Sequence, residues 1–506
     1  MSLRLDLVVS YGSQLFVAAV GVAMLPPCRD LLGSEAYGLV AVMAVMQVCF
    51  QLLEFGLGPL LSREAARFRG GAVDAATLHA MLRTLEGVFL AIALVGAGAI
   101  IAAAPAIAGG WLRVETLSLD TVADAIVLIA LATALRWGST LYRGVVVGFE
   151  SLVWLGGWES LIAVLRFVAV LPFLAFVSRD PLHFFAWQLA VSALEFAGFA
   201  LRVRGLMPTP SATRPSRWSL APLRGHQAFV FGVAFAGIVW IGVTQVDKVL
   251  LMRLLPLDEF GQYSMTVMLA SVITMLVAPL SEVIVPRLVR LAAAGDRAGF
   301  HALYRHGTRG LCALVAPPVA VMTLFAEPVL AAYSGDAGLA AAGAPVLALY
   351  ALGNGCLAVA SFQYFLQYAH GDLRLHVRGN LLFSVTLVPA MVVGAQAFGM
   401  VGAGWAWFAT NLAVLLAWVP VVHRRHAPGL HRGWLLEDVA RPMAVAFAAA
   451  AAIHALLPMP HARPVLAAAL LATLLAVAAA TAAGGGVRGL LRLALARPGA
   501  AAAEQA

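Results

Sequence analysis

The sequence predicts an all-α integral membrane protein with about 14 transmembrane helices, arranged as two parallel-repeat six-helix bundles plus two C-terminal helices. Long apolar segments recur along the chain, and a helix of about 20 apolar residues spans a bilayer. The composition agrees, because 62% of the residues are hydrophobic and 11% are charged, against about 25% charged in soluble proteins. The connecting segments alternate between arginine-rich and arginine-poor, as expected when a chain crosses a membrane repeatedly.

The first predicted bundle covers residues 1-203. Its first segment follows Arg4 as a signal peptide would, but it is too long and lacks an A-x-A cleavage site, so we expect a retained helix. Gly56, Gly58 and Pro59 would let the second segment bend. The segments are 8-27, 38-62, 82-108, 121-147, 152-178 and 182-203.

A cytoplasmic linker is predicted at 204-226, where prolines and arginines interrupt the apolar pattern. The second bundle follows at 227-423, then two extra transmembrane helices within 424-483 and a cytoplasmic tail at 484-506. The remaining segments are 227-252, 262-286, 307-332, 341-367, 377-398, 400-422, 440-457 and 464-483. The stretches 63-80 and 287-304 mix arginine with apolar residues, so each is either an amphipathic surface helix or a basic loop.

Two short sequences recur about 222 residues apart and indicate an internal duplication. The matched pairs are Tyr37-Gly38 with Phe260-Gly261, and His79–Arg83 with His301–Arg305. Six helices separate the copies, and six is an even number, so both halves have the same orientation in the membrane. In this parallel-repeat arrangement the substrate is expected to bind between the two bundles.

The distribution of basic residues predicts the orientation of the chain. Arginine-rich loops stay in the cytoplasm, which places both termini there. Arginine and alanine are abundant and lysine is nearly absent, which suggests a GC-rich bacterial genome and therefore the bacterial inner membrane. The net charge of +8 does not indicate nucleic-acid binding, because the basic residues are spread over alternate loops instead of one polar face.

Charged residues within the predicted helices are the candidate substrate-binding residues. Arg136 and Arg166 lie near the middle of the fourth and fifth segments. Asp247 and Lys248 are adjacent in the seventh segment, and Glu54 lies in the second. Such groups are costly in hydrocarbon and usually face a cavity or a partner. Because arginine binds phosphate oxygens bidentately, Arg136 and Arg166 in adjacent helices predict a pyrophosphate-binding cavity within the bilayer.

A static alternative remains open for these charges. Arg136 would pair with Glu159 or Glu195, and Arg166 with another carboxylate, as ties between helices. Intramembrane amides are candidates for sugar binding and, equally, for helix–helix hydrogen bonds. They are Gln47, Gln51, Gln245, Asn354, Gln363, Gln367 and Asn411.

Several other kinds of chemistry lack a sequence signature. There is no G-x-x-x-x-G-K-[ST] loop for ATP, and no His/Glu cluster has metal spacing. The four cysteines are scattered without C-x-x-C spacing. We therefore expect no cofactor, no metal and no enzymatic activity.

Four short motifs resemble those of a known family, the bacterial polysaccharide biosynthesis (Wzx-type) oligosaccharide flippases. The stretches are Leu32–Gly38 (LGSEAYG), Glu54–Pro59 (EFGLGP), Val246–Leu251 (VDKVLL) and Phe260–Tyr263 (FGQY). They resemble the family's LGxxxYG, D-x-G-L-G, D-[KR]-x-x-L and G-x-Y. The family belongs to the multidrug/oligosaccharidyl-lipid/polysaccharide exporter superfamily. The resemblance implies a transporter of a lipid-linked oligosaccharide, with the helix-2 acid at Glu54 and the helix-7 acid and base at Asp247 and Lys248.

Three functional hypotheses follow. In the first, the protein is a flippase for an undecaprenyl-pyrophosphate-linked oligosaccharide, driven by H+, by Na+ or by consumption of the product, and its partners are membrane lipids, a polysaccharide polymerase and glycosyltransferases. The second is a cation-coupled multidrug exporter, which predicts acidic cavity residues without a basic excess. The third is a membrane glycosyltransferase or polymerase, for which Glu115, Asp120 and Asp124 on a short outward loop are the candidate carboxylates.

Overall fold

A computed structural model describes residues 3–54, 57–69, 73–208, 247–372, 374–460 and 462–486. Within these ranges the chain is helical and has no strand, apart from one isolated bridge between Arg113 and Pro256. Ten described helices are long and apolar enough to cross a membrane. The predicted all-α, multi-pass membrane fold is therefore confirmed, whereas the count of about 14 spans stays a prediction.

The chain divides into two compact units, Met1–Gln262 and Tyr263–Ala506. The helices of the first unit are α1 (Leu3–Ala23), α2 (Leu25–Leu32), α3 (Ser34–Leu52), α4 (Leu57–Arg69), α5 (Ala75–Ala106), α6 (Leu119–Gly148), α7 (Leu152–Ala163), α8 (Val170–Phe176) and α9 (Pro181–Leu206). Residues 247–254 are also helical. Because most of the predicted linker and seventh segment lies outside the described residues, the predicted domain boundaries stay a prediction.

The described residues of the second unit include the end of a helix that begins in the first unit, followed by further helices. They are α10 (Leu257–Met275), α11 (Val277–Ala293), α12 (Arg297–Leu324), α13 (Ala326–Ser334), α14 (Ala337–Ala369), α15 (Arg374–Ala413), α16 (Val419–His426), α18 (Arg441–Leu456) and α19 (Arg463–Thr481), with the single turn α17 (Leu430–Gly433) between α16 and α18. The predicted tail lies outside the described residues from residue 487 onward.

Several predicted segments differ from the observed helices. The segment 38-62 is interrupted between α3 and α4, near the predicted bend at Gly58 and Pro59. In contrast, the segments 377-398 and 400-422 are two helices, as predicted: within α15 the torsion angles of Phe398 and Gly399 are non-helical, and the chain turns back there so that Gly394 and Gly402 are in contact. Gly399 has a φ of +57°, which glycine adopts without a steric penalty. Of the two stretches that mix arginine with apolar residues, 63-69, 75-80, 287-293 and 297-304 are helical, which favours the helical alternative over the basic loop.

Helix α6 is the centre of the first unit, where α3, α4, α5 and α9 pack against it. On one face, Trp137 stacks on Phe89 with 4.4 Å between ring centroids. On another, Gly144 crosses Gly58 so closely that a Cβ added to Gly144 would lie 2.7 Å from the Gly58 carbonyl oxygen. These contacts fix the depth and rotation of the helix that carries Arg136.

The predicted outward loop after α5 is bound to the start of α3. The Glu35 carboxylate accepts hydrogen bonds from the N–H groups of Glu115 (2.5 Å), Thr116 (2.9 Å) and Leu117 (2.8 Å), and from the Thr116 hydroxyl. Glu35 belongs to the LGSEAYG stretch, so part of that motif is explained by this loop contact. Three consecutive backbone N–H groups of the loop thus share the Glu35 carboxylate as their acceptor.

The duplicated aromatic-glycine pairs meet each other within the first unit. The Cα of Gly38 lies 3.1 Å from where a Cβ on Gly261 would be, and a Cβ on Gly38 would overlap the carbonyl of Leu257. Glycine at both positions lets the starts of α3 and α10 approach to backbone contact. The two repeat markers found in the sequence are therefore also packing sites.

The second unit contains a buried ion cluster that the sequence analysis did not identify. Asp438 has no exposed surface. Its carboxylate accepts from Arg305 Nε at 2.6 Å and from Arg309 Nε at 3.0 Å. The adjacent Trp434 donates its indole N–H to Thr308 at 2.8 Å. The segment that leads into α18 and α19 is thereby attached to α12.

Candidate functional site

The first unit contains a cavity of about 330 Å³ that is lined by charged, amide, hydroxyl and apolar side chains. Its walls come from α1, α3, α6, α7, α9 and the segment between α7 and α8. The described residues that line it are Val17, Gln47, Gln51, Thr133, Arg136, Trp137, Ser139, Thr140, Arg143, Glu159, Ile162, Ala163, Arg166, Phe167, Glu195 and Phe199. Arg136 and Arg166, the two arginines predicted at mid-membrane depth, thus face the same cavity.

Helix α6 contributes two of the cationic side chains. Arg136 and Arg143 are seven residues apart, so they project from the same side of the helix about 10 Å apart along its axis. Thr133 and Thr140 follow the same spacing and also line the cavity. This side of α6 is therefore polar, while the side that carries Trp137 packs on α5.

Arg166 lies in a turn of π-helix, Val164–Val168, between α7 and α8. The N–H of Ala169 donates to the carbonyl of Val164, five residues earlier, at 2.8 Å. Pro172 explains the local widening, because it has no N–H for the Val168 carbonyl and its ring crowds that group. Such π turns are often found at functional sites.

Side chains of α9 stabilise this turn. The indole N–H of Trp187 donates to the Leu165 carbonyl at 3.0 Å, and the Gln188 amide donates to the Arg166 carbonyl at 3.1 Å. Carbonyls that leave the regular helical pattern thus find partners, as buried polar groups require. The backbone of Arg166 is held from a neighbouring helix.

The Arg166 guanidinium is buried and paired with Glu195. Its Nη2 lies 2.7 Å from Glu195 Oε2 and 3.4 Å from Ser192 Oγ. The side chains are 4% and 14% exposed, so the pair is shielded from bulk solvent but reaches the cavity. The static pairing expected of Arg166 with a carboxylate is therefore present.

Arg136 has a different partner from the one that the static alternative requires. Its Nη1 donates to the amide oxygen of Gln47 at 2.6 Å. Glu159 instead binds Arg143, with 2.6 Å between Oε1 and Nε. Arg136 contacts a neutral amide, although Arg166, Glu195 and Glu159 are all within electrostatic range of it. Its positive charge is thus not paired directly in these contacts, whereas the charges of Arg143 and Arg166 are.

The other predicted site residues lie elsewhere in the first unit. Glu54 follows α3, where its Oε1 lies against Gly58, and Arg143 is within electrostatic range of its carboxylate. Asp247 is buried, and Lys248 Nζ lies 3.8 Å from its Oδ1. None of these three is among the residues that line the cavity. Their assignment to substrate binding stays a prediction.

The charged cavity groups are three guanidinium groups and two carboxylates, an excess of one positive charge. Charges in a partly enclosed cavity interact more strongly than in bulk water. Amides and hydroxyls provide further hydrogen-bonding groups, and Trp137, Phe167 and Phe199 provide aromatic surface. The arrangement can bind an anion together with a hydroxylated group. Within the described residues, no group of three or more His, Cys, Asp or Glu side chains is placed to hold a metal ion.

Comparisons with known proteins support a transporter fold. A family model described as "Polysaccharide biosynthesis protein" matches residues 6–292. The lipid II flippase MurJ, in an inward closed conformation, superposes with a TM-score of 0.69 at 12% identity, covering 94% of this chain and 100% of that one. A multidrug resistance MATE family transporter of the MOP superfamily, in an inward-facing conformation, gives 0.60 at 12% identity, covering 81% and 96%. No curated protein sequence matches this chain closely.

Proposed function

The chain belongs to the polysaccharide biosynthesis protein family, and on that premise we propose that it is a flippase for a polyprenyl-pyrophosphate-linked oligosaccharide. The substrate would cross the bacterial inner membrane for assembly of a surface polysaccharide such as O-antigen, capsule or exopolysaccharide. The fold, which resembles those of a lipid II flippase and a multidrug transporter, is a framework for transport. The side chains that line the cavity support this choice of substrate.

The cavity shared by Arg136 and Arg166 is the observation that carries this proposal. A pyrophosphate presents several oxygens that accept hydrogen bonds from guanidinium groups. Arg136, bonded to the neutral amide of Gln47, keeps a charge that a phosphate can neutralise. Two arginines within electrostatic range of each other repel, so a bound polyanion would relieve that repulsion.

The remainder of the substrate is assigned by chemistry and size. A cavity of about 330 Å³ suits a pyrophosphate and a neighbouring sugar better than a whole oligosaccharide. Gln47, Gln51 and Ser139 would bind sugar hydroxyls, and Phe167 would offer an apolar face. The polyprenyl tail, most favourably an undecaprenyl chain, would stay in the surrounding lipid. Lys248, Asp247 and Glu54 would act at other stages of its passage.

Transport would occur by alternating access, with the cavity open to the cytoplasm and then to the outside. Both termini would face the cytoplasm, as the basic loops predict. Glycosyltransferases would supply the substrate inside, and a polysaccharide polymerase would consume it outside. An H+ or Na+ gradient, or that consumption, would give direction.

The alternative hypotheses have less support from the site. A multidrug transporter shares the fold, but three arginines in one cavity are unfavourable for the cationic compounds that an acidic cavity would bind. In a glycosyltransferase the outward loop would supply catalytic carboxylates. There, the backbone of Glu115 is engaged in the contact with Glu35.

Export of surface glycan tests the proposal. We expect Arg136→Ala combined with Arg166→Ala to abolish export in cells that depend on this protein, with normal protein levels, because both cationic contacts to the pyrophosphate are lost. Arg441→Ala, which removes an exposed arginine of α18 outside the cavity, is the matched control and should leave export intact. Unchanged export in the double variant would remove these arginines from the mechanism.

A further inference from the structure

Glu195 binds the Arg166 guanidinium, which is the group that the proposed function assigns to the pyrophosphate. Its Oε2 lies 2.7 Å from Arg166 Nη2, and both side chains line the cavity. A guanidinium has a limited set of N–H donors in a fixed plane. Glu195 and Ser192 contact Nη2, so an anion that binds Arg166 through Nη2 competes with Glu195 for that nitrogen. The Glu195 carboxylate therefore competes with an incoming anion for Arg166.

The mobile partner in this exchange is Glu195 and not Arg166. The Arg166 side chain is 4% exposed, and the carbonyls of Leu165 and Arg166 accept hydrogen bonds from Trp187 and Gln188 of α9. Glu195, on a regular turn of the same α9, has rotatable side-chain bonds and the larger exposure of 14%. An arriving anion would thus find Arg166 fixed and the carboxylate able to swing aside.

The net charge of the cavity decides whether the displaced Glu195 carboxylate stays ionised. The charged groups that face Glu195 across the cavity are Arg136 and Arg143 from α6, Glu159 from α7 and Arg166 from the π turn, while α3 presents the neutral Gln47 and Gln51. Their excess of one positive charge falls short of a pyrophosphate diester, in which each of the two phosphoryl groups is ionised at neutral pH. With the anion bound, an ionised Glu195 would face uncompensated negative charge, which favours its protonated form.

We propose that Glu195 takes up one proton from solution when the anionic head group displaces it from Arg166, so that substrate and proton occupy the cavity together. The inference rests on the proposed function and adds its coupling. The proton binds the Glu195 carboxylate, no other bond forms or breaks, and the cavity becomes neutral. Release of the head group on the other side would let Glu195 lose the proton and return to Arg166. Because this proton moves outward with the head group, consumption of the product outside, and not an inward H+ gradient, would give direction.

Calorimetry in buffers of different ionisation enthalpy measures this proton directly. The probe is a farnesyl-pyrophosphate-linked N-acetylglucosamine added to the full-length protein in detergent. At neutral pH we expect about one proton taken up per bound ligand by the wild type. Glu195→Gln should lower the uptake to near zero, bind the ligand roughly tenfold more tightly at about pH 8, and lose the pH dependence of affinity. Glu150→Gln, which removes an exposed carboxylate that pairs with Arg69 outside the cavity, is the matched control and should keep the uptake.

The outcomes separate the two proposals. Wild-type binding without proton uptake would overturn the inference and leave the flippase function standing. Uptake that persists in Glu195→Gln would also overturn it, because another group would then carry the proton. No binding of the probe by the wild type would contradict the proposed function and this inference with it. If the glutamine variant does not fold, a wild-type protein that binds the probe without taking up a proton still overturns the inference.

Discussion

Arg136 and Asp438 are both charged groups within helical layers, but their surroundings differ. Asp438 is fully buried and accepts hydrogen bonds from both Arg305 and Arg309. Arg136 donates to the neutral amide of Gln47 and faces a cavity. A buried charge held by several partners is typical of structure, whereas a cavity-facing charge without a direct counter-ion is typical of a binding site.

The structural role of Asp438 leads to a stability prediction. Asp438→Asn keeps the size of the side chain but leaves two guanidinium groups without their shared carboxylate, which should cost about 3 kcal/mol of unfolding free energy. The measurement is the thermal unfolding midpoint of the purified protein in detergent. Glu437→Gln is the control, because Glu437 is 61% exposed and its ion pair with Arg305 should contribute about 1 kcal/mol or less. Equal effects of the two substitutions would contradict the structural role of Asp438.

Residue-scale sequence reasoning identified the positions of the charges better than their partners. The placement of Arg136 and Arg166 in apolar segments followed from hydropathy alone. That Arg136 contacts Gln47 while Glu195 binds Arg166 depends on how α3, α6 and α9 are rotated, which hydropathy does not encode. Asp438 was missed because its arginine partners are 129 and 133 residues away in the chain.

At the scale of elements, the site depends on two local departures from a regular helix. The first is the π turn around Arg166, for which Pro172 was an available sequence signal. The second is the interruption between α3 and α4, which the glycines and Pro59 of the second segment predicted as a bend. The boundary between the segments 377-398 and 400-422 was predictable as well, because the chain turns back at Phe398 and Gly399, where the apolar pattern had placed the break.

The crossing of α4 and α6 gives a prediction at this scale. In Gly144→Ala the added Cβ would lie 2.7 Å from the Gly58 carbonyl oxygen, so the helices must separate, at a cost of about 1–3 kcal/mol. Thermal unfolding of the purified protein measures the loss. Gly157→Ala in α7 is the matched control: its Cβ would meet no atom within 4 Å, and alanine should stabilise the helix by about 0.5–1 kcal/mol. If both variants unfold at the same temperature, the close packing of α4 and α6 is wrong.

For the whole molecule, hydropathy and the short motifs predicted the fold class and the family. The family match over residues 6–292 and the superposition on a flippase fold confirm both. The duplicated pairs Tyr37-Gly38 and Phe260-Gly261, which mark the repeat, are also packing sites, because their glycines are in contact. The substrate was less predictable, since the same fold also occurs in a multidrug transporter and the site residues must distinguish the two.

Translocation in proteoliposomes tests the central claim most directly. A fluorescent sugar linked to a polyprenyl pyrophosphate is placed in both leaflets, and a membrane-impermeant reagent quenches the outer one. The wild-type protein should let the inner pool reach the quencher, whereas the Arg136→Ala, Arg166→Ala double variant should behave like protein-free vesicles, because the cavity has lost its phosphate-binding cations. Wild-type vesicles no faster than protein-free ones, or a double variant as fast as the wild type, would contradict the account.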